Sequence, residues 1–239
     1  MPHPSTNPTP LTESENIVKR IVPVVLSLVP LLASCQATPT DETTQPVNAM
    51  AATAHPVATQ VARNVLEQGG NAADAAVAAG FALAVAEPSM SHLGGRIQIL
   101  VRTADGRYAG YNGMTEVPSG YVAPEVPVSQ GYGTIATPGV VAGLARLHAE
   151  HGSLPWSNLL EEPASIARDG YKLLPGAAAR HERGFEQFRD NPGFQRVFVE
   201  DDSTAFDAGD VIRQPVLAQT IERLALAGAD DFYRGQVCL

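Results

Sequence analysis

The fold of this chain is constrained most tightly by residues 55–95, HPVATQVARNVLEQGGNAADAAVAAGFALAVAEPSMSHLGG. The pattern predicts two helices joined by a Gly-Gly-Asn hinge, then a turn rich in Ser and Gly. Pro56 suits the first helical position, because its fixed φ matches the helix and its missing N–H would have no partner there. Val57, Val61 and Val65 recur at i, i+4 and i+8 and give the first helix one apolar face. Gly69-Gly70 stops it, since glycine enters the left-handed conformation without a Cβ clash. Asn71 caps the second helix and Asp74 stands at its third position, where a carboxylate meets free N–H groups. From Ala72 to Ala86 that helix is nearly all alanine, with Val77, Phe81, Leu83 and Val85 between. Side chains this small suit a helix packed closely on both sides, inside a large core, and Pro88 ends it.

Downstream, Arg96 to Thr103 alternates Ile97, Ile99 and Val101 on one face, as a strand does. Asp105-Gly106 signals a turn, and Arg107 to Tyr111 reads as the returning strand of a hairpin. A glycine-rich turn, Gly131 to Gly139, opens a helix from Val140 to His151. Further helices are predicted from near Asn158 to Asp169, from Ala177 to Phe188 and from Gln214 to Ala227. No internal repeat is visible.

Several of these pieces together resemble the γ-glutamyltranspeptidase (glutathione hydrolase) family. The carriers are His55-Pro56, Gly69 to Ala79, Glu87-Pro88 and the Ser91-His92-Leu93-Gly94-Gly95 turn. The likeness continues through Ala136 to Trp156, Ala208-Gly209-Asp210, Arg213-Gln214-Pro215 and Gly228 to Gly235, and so covers residues 49–236. It spans only the first part of the family's large subunit. The resemblance implies an α/β fold, part of the four-layer αββα sandwich of N-terminal-nucleophile hydrolases, in the form of a helix-rich fragment. It implies hydrolysis or transfer of γ-glutamyl amides by a Thr that becomes an N-terminus after self-cleavage and whose own α-amine acts as base. A Gly pair would hold the oxyanion. Both lie beyond the part of the family that this chain covers, so the expectation is a chain truncated before the Thr and inactive alone. The resemblance implies no cofactor.

One family site falls inside the chain. An Arg after the first hairpin, in an Arg-Glu-x-x-Pro context, grips the substrate's α-carboxylate with a planar fork. Pro118 aligns that segment here, and Met114 stands where the Arg is expected. Methionine brings neither charge nor donor, so weak action on γ-glutamyl donors is expected. Arg96, where the family usually has glycine, reads either as a displaced anion ligand or as an ordinary surface arginine on a strand. No catalytic residue is assigned. Thr43, Thr44, Thr134 and Thr137 lack the family's nucleophile context and read as turn and loop hydroxyls. No metal site is assigned: His148 and His151 have a spacing that binds metal on a helix, but their place at a helix end favours capping. Ser91 and His92 are adjacent and point apart, and Glu200-Asp201-Asp202 reads as a solvated turn.

Charge and composition bound the rest. The net charge of −9 with no basic cluster gives no support to nucleic-acid binding. At the start of the chain, Lys19-Arg20 precedes the apolar run Ile21 to Leu32, too short to span a bilayer but suited to a secretory signal. Leu32-Ala33-Ser34-Cys35 follows, a lipobox-like order that makes Cys35 the candidate lipidated residue. Residues 1–35 are therefore expected to be a lipoprotein signal. Residues 36–49, rich in Thr, Pro and acids, are expected to be a tether, and 50–239 the family-like domain. That organisation predicts a lipid-anchored protein of the bacterial cell envelope. With Cys35 acylated, Cys238 has no partner for an intrachain disulfide. Two readings follow: an enzyme part complemented by a chain carrying the Thr, or a lipid-anchored non-catalytic binding protein or pseudogene relic on the same scaffold. Uncovered sheet edges lead to an expectation of marginal stability or aggregation for the fragment alone.

Overall fold

The computed structural model describes residues 48–129, 131–199 and 204–237. Cys35, Thr43, Thr44, Glu200, Asp201, Asp202 and Cys238 lie outside the described residues, as do the signal segment and nearly all of the tether.

Among the described residues are eight α-helices, one 3-10 turn at Tyr132–Thr134 and two small antiparallel ladders. Helix α1, Pro56–Glu67, is capped by His55, whose Nδ1 accepts from the Val57 N–H at 3.2 Å. It ends in a Schellman pattern: the Gly69 N–H reaches the Leu66 carbonyl and the Gly70 N–H the Val65 carbonyl. Helix α2, Ala72–Ala86, follows with a full capping box. Asn71 Oδ1 accepts from the Ala73 and Asp74 N–H groups, and the Asp74 carboxylate accepts from the Asn71 N–H at 2.9 Å.

Helix α2 is the centre of the described residues' core. Ala78, Ala82, Val77, Val85 and Phe81 are all buried, on every side of the helix. Its neighbours are α1, helix α3 (Val140–His151) and helix α4 (Trp156–Asp169). Three neighbours explain the alanine-rich sequence: the axes approach closely only where side chains are small. At Gly80 even a Cβ would sit 3.0 Å from Leu144 of α3. Phe81 meets Trp156 edge to face at 5.6 Å, and the Trp156 indole N–H donates to the Leu224 carbonyl at 2.9 Å. Burying the Phe81 ring contributes roughly 1.5–3 kcal/mol.

The hairpin pairs β1, Ile97–Arg102, with β2, Tyr108–Gly113, in register Ile97 to Gly113 through Arg102 to Tyr108. Its half-buried face, Ile97, Ile99 and Val101, lies on α3, while Leu100 on the other face is 77% exposed. Gly143 of α3 permits this contact, for a Cβ there would stand 2.6 Å from Ile97 Cγ2. The second ladder joins β3, Tyr171–Lys172, to β4, Val211–Ile212. Between them run α5, Pro175–Phe188, and α6, Pro192–Phe198. After β4 come α7, Pro215–Ala227, packed along α4, and the short α8, Asp230–Arg234. Gln214 starts α7 and donates its side-chain amide to the Val85 carbonyl at 2.8 Å, which satisfies a buried terminal group of α2.

The predicted helices are present, with shifted ends. Helix α4 begins at Trp156, two residues earlier than expected, α5 at Pro175, and β2 runs on to Gly113. The short α6 and the second ladder were not expected. No helix among the described residues is long and apolar enough to cross a membrane.

Candidate functional site

The region around position 114 is built by glycines that let three chain segments touch. Gly113 ends β2, Gly139 precedes α3, and the Gly94-Gly95 turn lies between α2 and β1. The Gly139 N–H donates to the Gly95 carbonyl at 2.9 Å. A Cβ on Gly113 would lie 2.7 Å from the Gly139 carbonyl, and one on Gly139 would overlap the carbonyls of Gly113 and Met114. A two-way bridge, Glu116 N–H to Thr137 carbonyl at 3.0 Å and Thr137 N–H to Glu116 carbonyl at 2.8 Å, closes the crossing. The backbone of 113–116 is thereby fixed on both sides.

Side chains of an extended segment alternate, and two clefts result. Met114, 37% exposed, lines a cleft of about 840 Å³ with Glu116, Arg146, Asp230, Tyr233 and Arg234. Thr115 lines a second cleft of about 720 Å³ with Ser91, His92, Arg96 and Thr134. Arg96 and Met114 thus lie in different clefts, so Arg96 does not stand in for an arginine at position 114.

The first cleft has a polar rim whose groups are already engaged. Tyr111 donates to Glu150 Oε2 at 2.6 Å, and its oxygen lies 2.6 Å from His151 Nε2. The Glu150 bond, aided by burial, raises the Tyr111 phenol, and the same bond lowers Glu150 despite burial acting the other way. Arg146 pairs with Glu150, and Arg234 with Asp230 at 3.3 Å. The Ala142 N–H donates to the Tyr233 hydroxyl at 2.9 Å, and burial raises that phenol. Next to the thioether of Met114, this cleft offers an apolar contact and no uncommitted cation among the described residues.

The other sequence candidates have structural partners. His148 Nε2 lies 2.8 Å from the Leu154 carbonyl, and its ring packs on Trp156. With His151 on Tyr111, the two histidines turn to separate partners, and no cluster of three or more His, Cys, Asp or Glu that could hold a metal occurs among the described residues. Thr134 donates to the Gly131 carbonyl at 2.8 Å, a turn contact, and Thr137 takes part in the bridge to Glu116. Ser91 and His92 both line the second cleft; the His92 ring folds back over Gly94, where a Cβ would lie 3.3 Å from Nδ1.

A buried polar group had no signal in the sequence. His55, Glu87, Tyr171 and His181 are each at most 5% exposed. Arg180 pairs with Glu87, and Arg180 Nε donates to Ser89 Oγ at 3.0 Å. Burial lowers His55 and His181, with Arg180 adding to the effect on His181 and Glu87 opposing it on both. Burial, assisted by Glu87, pushes the Tyr171 phenol up. The partners stand far apart in sequence, and the capping role of His55 had no signal there.

A profile described as Gamma-glutamyltranspeptidase matches residues 58–238, most of the chain. The chain belongs to the gamma-glutamyltranspeptidase family. It is 31% identical over 196 residues to "Glutathione hydrolase proenzyme 1" of Schizosaccharomyces pombe, covering 80% of this chain and 31% of that protein. It is 30% identical over 199 residues to "Glutathione hydrolase proenzyme" of Escherichia coli, covering 79% and 34%. The chain therefore spans about a third of the length of the curated relatives it matches. Among solved structures, gamma-glutamyltranspeptidase of Helicobacter pylori superposes with a TM-score of 0.75 at 30% identity, covering 79% of this chain and 57% of that one. The transpeptidase CapD of Bacillus anthracis gives 0.69 at 26% identity, covering 79% and 61%. These family members place the helix-rich arrangement described above as part of an α/β N-terminal-nucleophile hydrolase fold.

Proposed function

We propose that this gamma-glutamyltranspeptidase-family chain provides the N-terminal scaffold of a γ-glutamyl amide hydrolase or transferase. It acts together with a segment, on the same or a separate chain, that carries the N-terminal Thr nucleophile. The match over residues 58–238 carries this reading. The hydroxyls of Thr134 and Thr137 lie in a turn and beside a backbone bridge, which supports a nucleophile from elsewhere. Anchoring through a lipidated Cys35 on the outer side of a bacterial membrane belongs to the same proposal. Loss of labelled-fatty-acid incorporation on Cys35→Ser would support the anchor, and unchanged incorporation would refute it.

Met114 sets the expected substrate preference. Without a guanidinium at this position, a free α-carboxylate gains no bidentate charge-assisted bond, and the cleft favours acyl donors with a less polar group there. The test is co-expression of the full chain with a Thr-bearing segment of a relative, assayed by release of a chromophore from a γ-glutamyl anilide. The chain alone releases none, the complemented pair releases it slowly, and Met114→Arg raises kcat/KM by about tenfold. Release by the chain alone would refute the scaffold reading. An unchanged kcat/KM in Met114→Arg would refute the role given to position 114.

A further inference from the structure

The clefts of this molecule differ in how their cations are used. Arg168 is paired with Glu222, Arg146 with Glu150, Arg234 with Asp230 and Arg180 with Glu87. Arg96 lines a cleft and has no carboxylate, backbone or side-chain partner among the described residues. Among the described residues no Asp or Glu lines that cleft, in a chain whose net charge is −9. An anion entering it meets the Arg96 guanidinium and no carboxylate among the described lining residues.

The remaining walls narrow the choice of anion. Ser91 and Thr115 line the same cleft, and among the described residues their hydroxyls have no hydrogen-bond partner. Beside them stand Leu83, Ile97 and Val140, an apolar floor continuous with the core. A guanidinium fork matches the plane of a carboxylate and bonds both oxygens at once, two hydroxyls add donors, and the floor accepts a short hydrocarbon body. We infer that this cleft, lined by Arg96, Ser91 and Thr115, is a binding site for a small carboxylate bearing a compact apolar side chain. It lies on the opposite side of segment 113–116 from Met114 and is independent of the acyl-transfer reading above.

The test is equilibrium titration of the isotope-labelled full chain, read by the Arg96 Nε–H and the Ser91 and Thr115 backbone resonances. N-acetyl-L-leucine is the probe, N-acetyl-L-leucinamide its uncharged counterpart, and inorganic phosphate the anion without a body. The acid is expected to saturate these resonances at low salt, with the amide at least about tenfold weaker, the loss expected when a charge-assisted pair is removed. Arg96→Gln is expected to weaken the acid by at least about tenfold and Thr115→Val by a few-fold. Arg102→Gln, which removes another exposed arginine of the same hairpin, is expected to leave binding unchanged. Arg96 is exposed, and an unaltered amide spectrum of Arg96→Gln verifies the fold. Equal binding of acid and amide, full binding by Arg96→Gln, or the absence of saturable binding would overturn the site. Phosphate binding as tightly as the acid would overturn the assignment of a carboxylate with an apolar body.

Discussion

At the scale of single residues, Asp74 shows how a capping position becomes a tertiary one. Its carboxylate closes the capping box of α2 and also accepts from the Ser153 hydroxyl at 2.6 Å and the Ser153 and Leu154 N–H groups. Burial opposes ionisation, but these bonds outweigh it and hold Asp74 below the usual carboxylate range. Asp74→Ala is expected to cost about 3 kcal/mol in urea denaturation of the full chain, combining a lost cap with buried donors left unpaired. A lowered carboxyl contributes stability that is present above its unfolded value near 3.9 and is lost as pH falls through the folded value. His55 and His181 act in a higher window. Burial lowers both in the folded chain, so the unfolded chain binds more protons than the folded one as pH falls through about 6.5. The denaturation midpoint is expected to fall between about pH 7.5 and about pH 5.5, with His181→Phe flattening part of that slope. A midpoint constant over this range would contradict the assignment. Glycine roles also divide here. Gly69, at φ 89°, supplies the left-handed turn, while Gly70 supplies room: a Cβ would lie 2.7 Å from Val65 Cγ1.

At the scale of elements, the helices were the legible part. Valines at i, i+4 and i+8, Pro at first positions and Gly after last ones act within a turn or two of the chain, so α1, α2, α3, α5 and α7 could be read with errors of a few residues. The end of β2 could not. It extends to Gly113 because Ile97 opposite needs a partner and because Gly139 sits against that residue, and neither lies nearby in sequence. The three-segment crossing yields its own prediction. Gly139→Ala forces the α3 entry away from the hairpin and is expected to cost about 3 kcal/mol, in the range of overpacking in a tight core. Amide exchange should accelerate in β1 and β2 while α1 and α4 stay protected; unchanged protection in the hairpin would show that the crossing does not hold it.

At the scale of the whole molecule, one segment is poorly covered. Val117, Val122 and Val126 are 71%, 86% and 76% exposed, and Leu100, Tyr108 and Ile135 are exposed as well. Among the described residues neither outer edge of the β1–β2 hairpin is paired. Open edges beside exposed apolar residues promote association. The full chain alone is expected to sediment as concentration-dependent oligomers, and the double change Val122→Lys, Val126→Lys is expected to reduce them without lowering Tm. A monodisperse monomer across concentrations would rule this out.

The sequence by itself determined the main helices and the hairpin, the capped hinge between α1 and α2, the family, and the presence of methionine at position 114. These are properties of composition and short-range pattern, and each is carried by a contiguous run of residues. Only the tertiary structure decided that Met114 and Arg96 face different clefts, that Asp74 ties α2 to the turn after α3, that His148 and His151 turn to separate partners, and that Arg96 stands without a carboxylate. Each depends on which side of a fixed backbone a side chain emerges, and on atoms brought together from positions tens of residues apart.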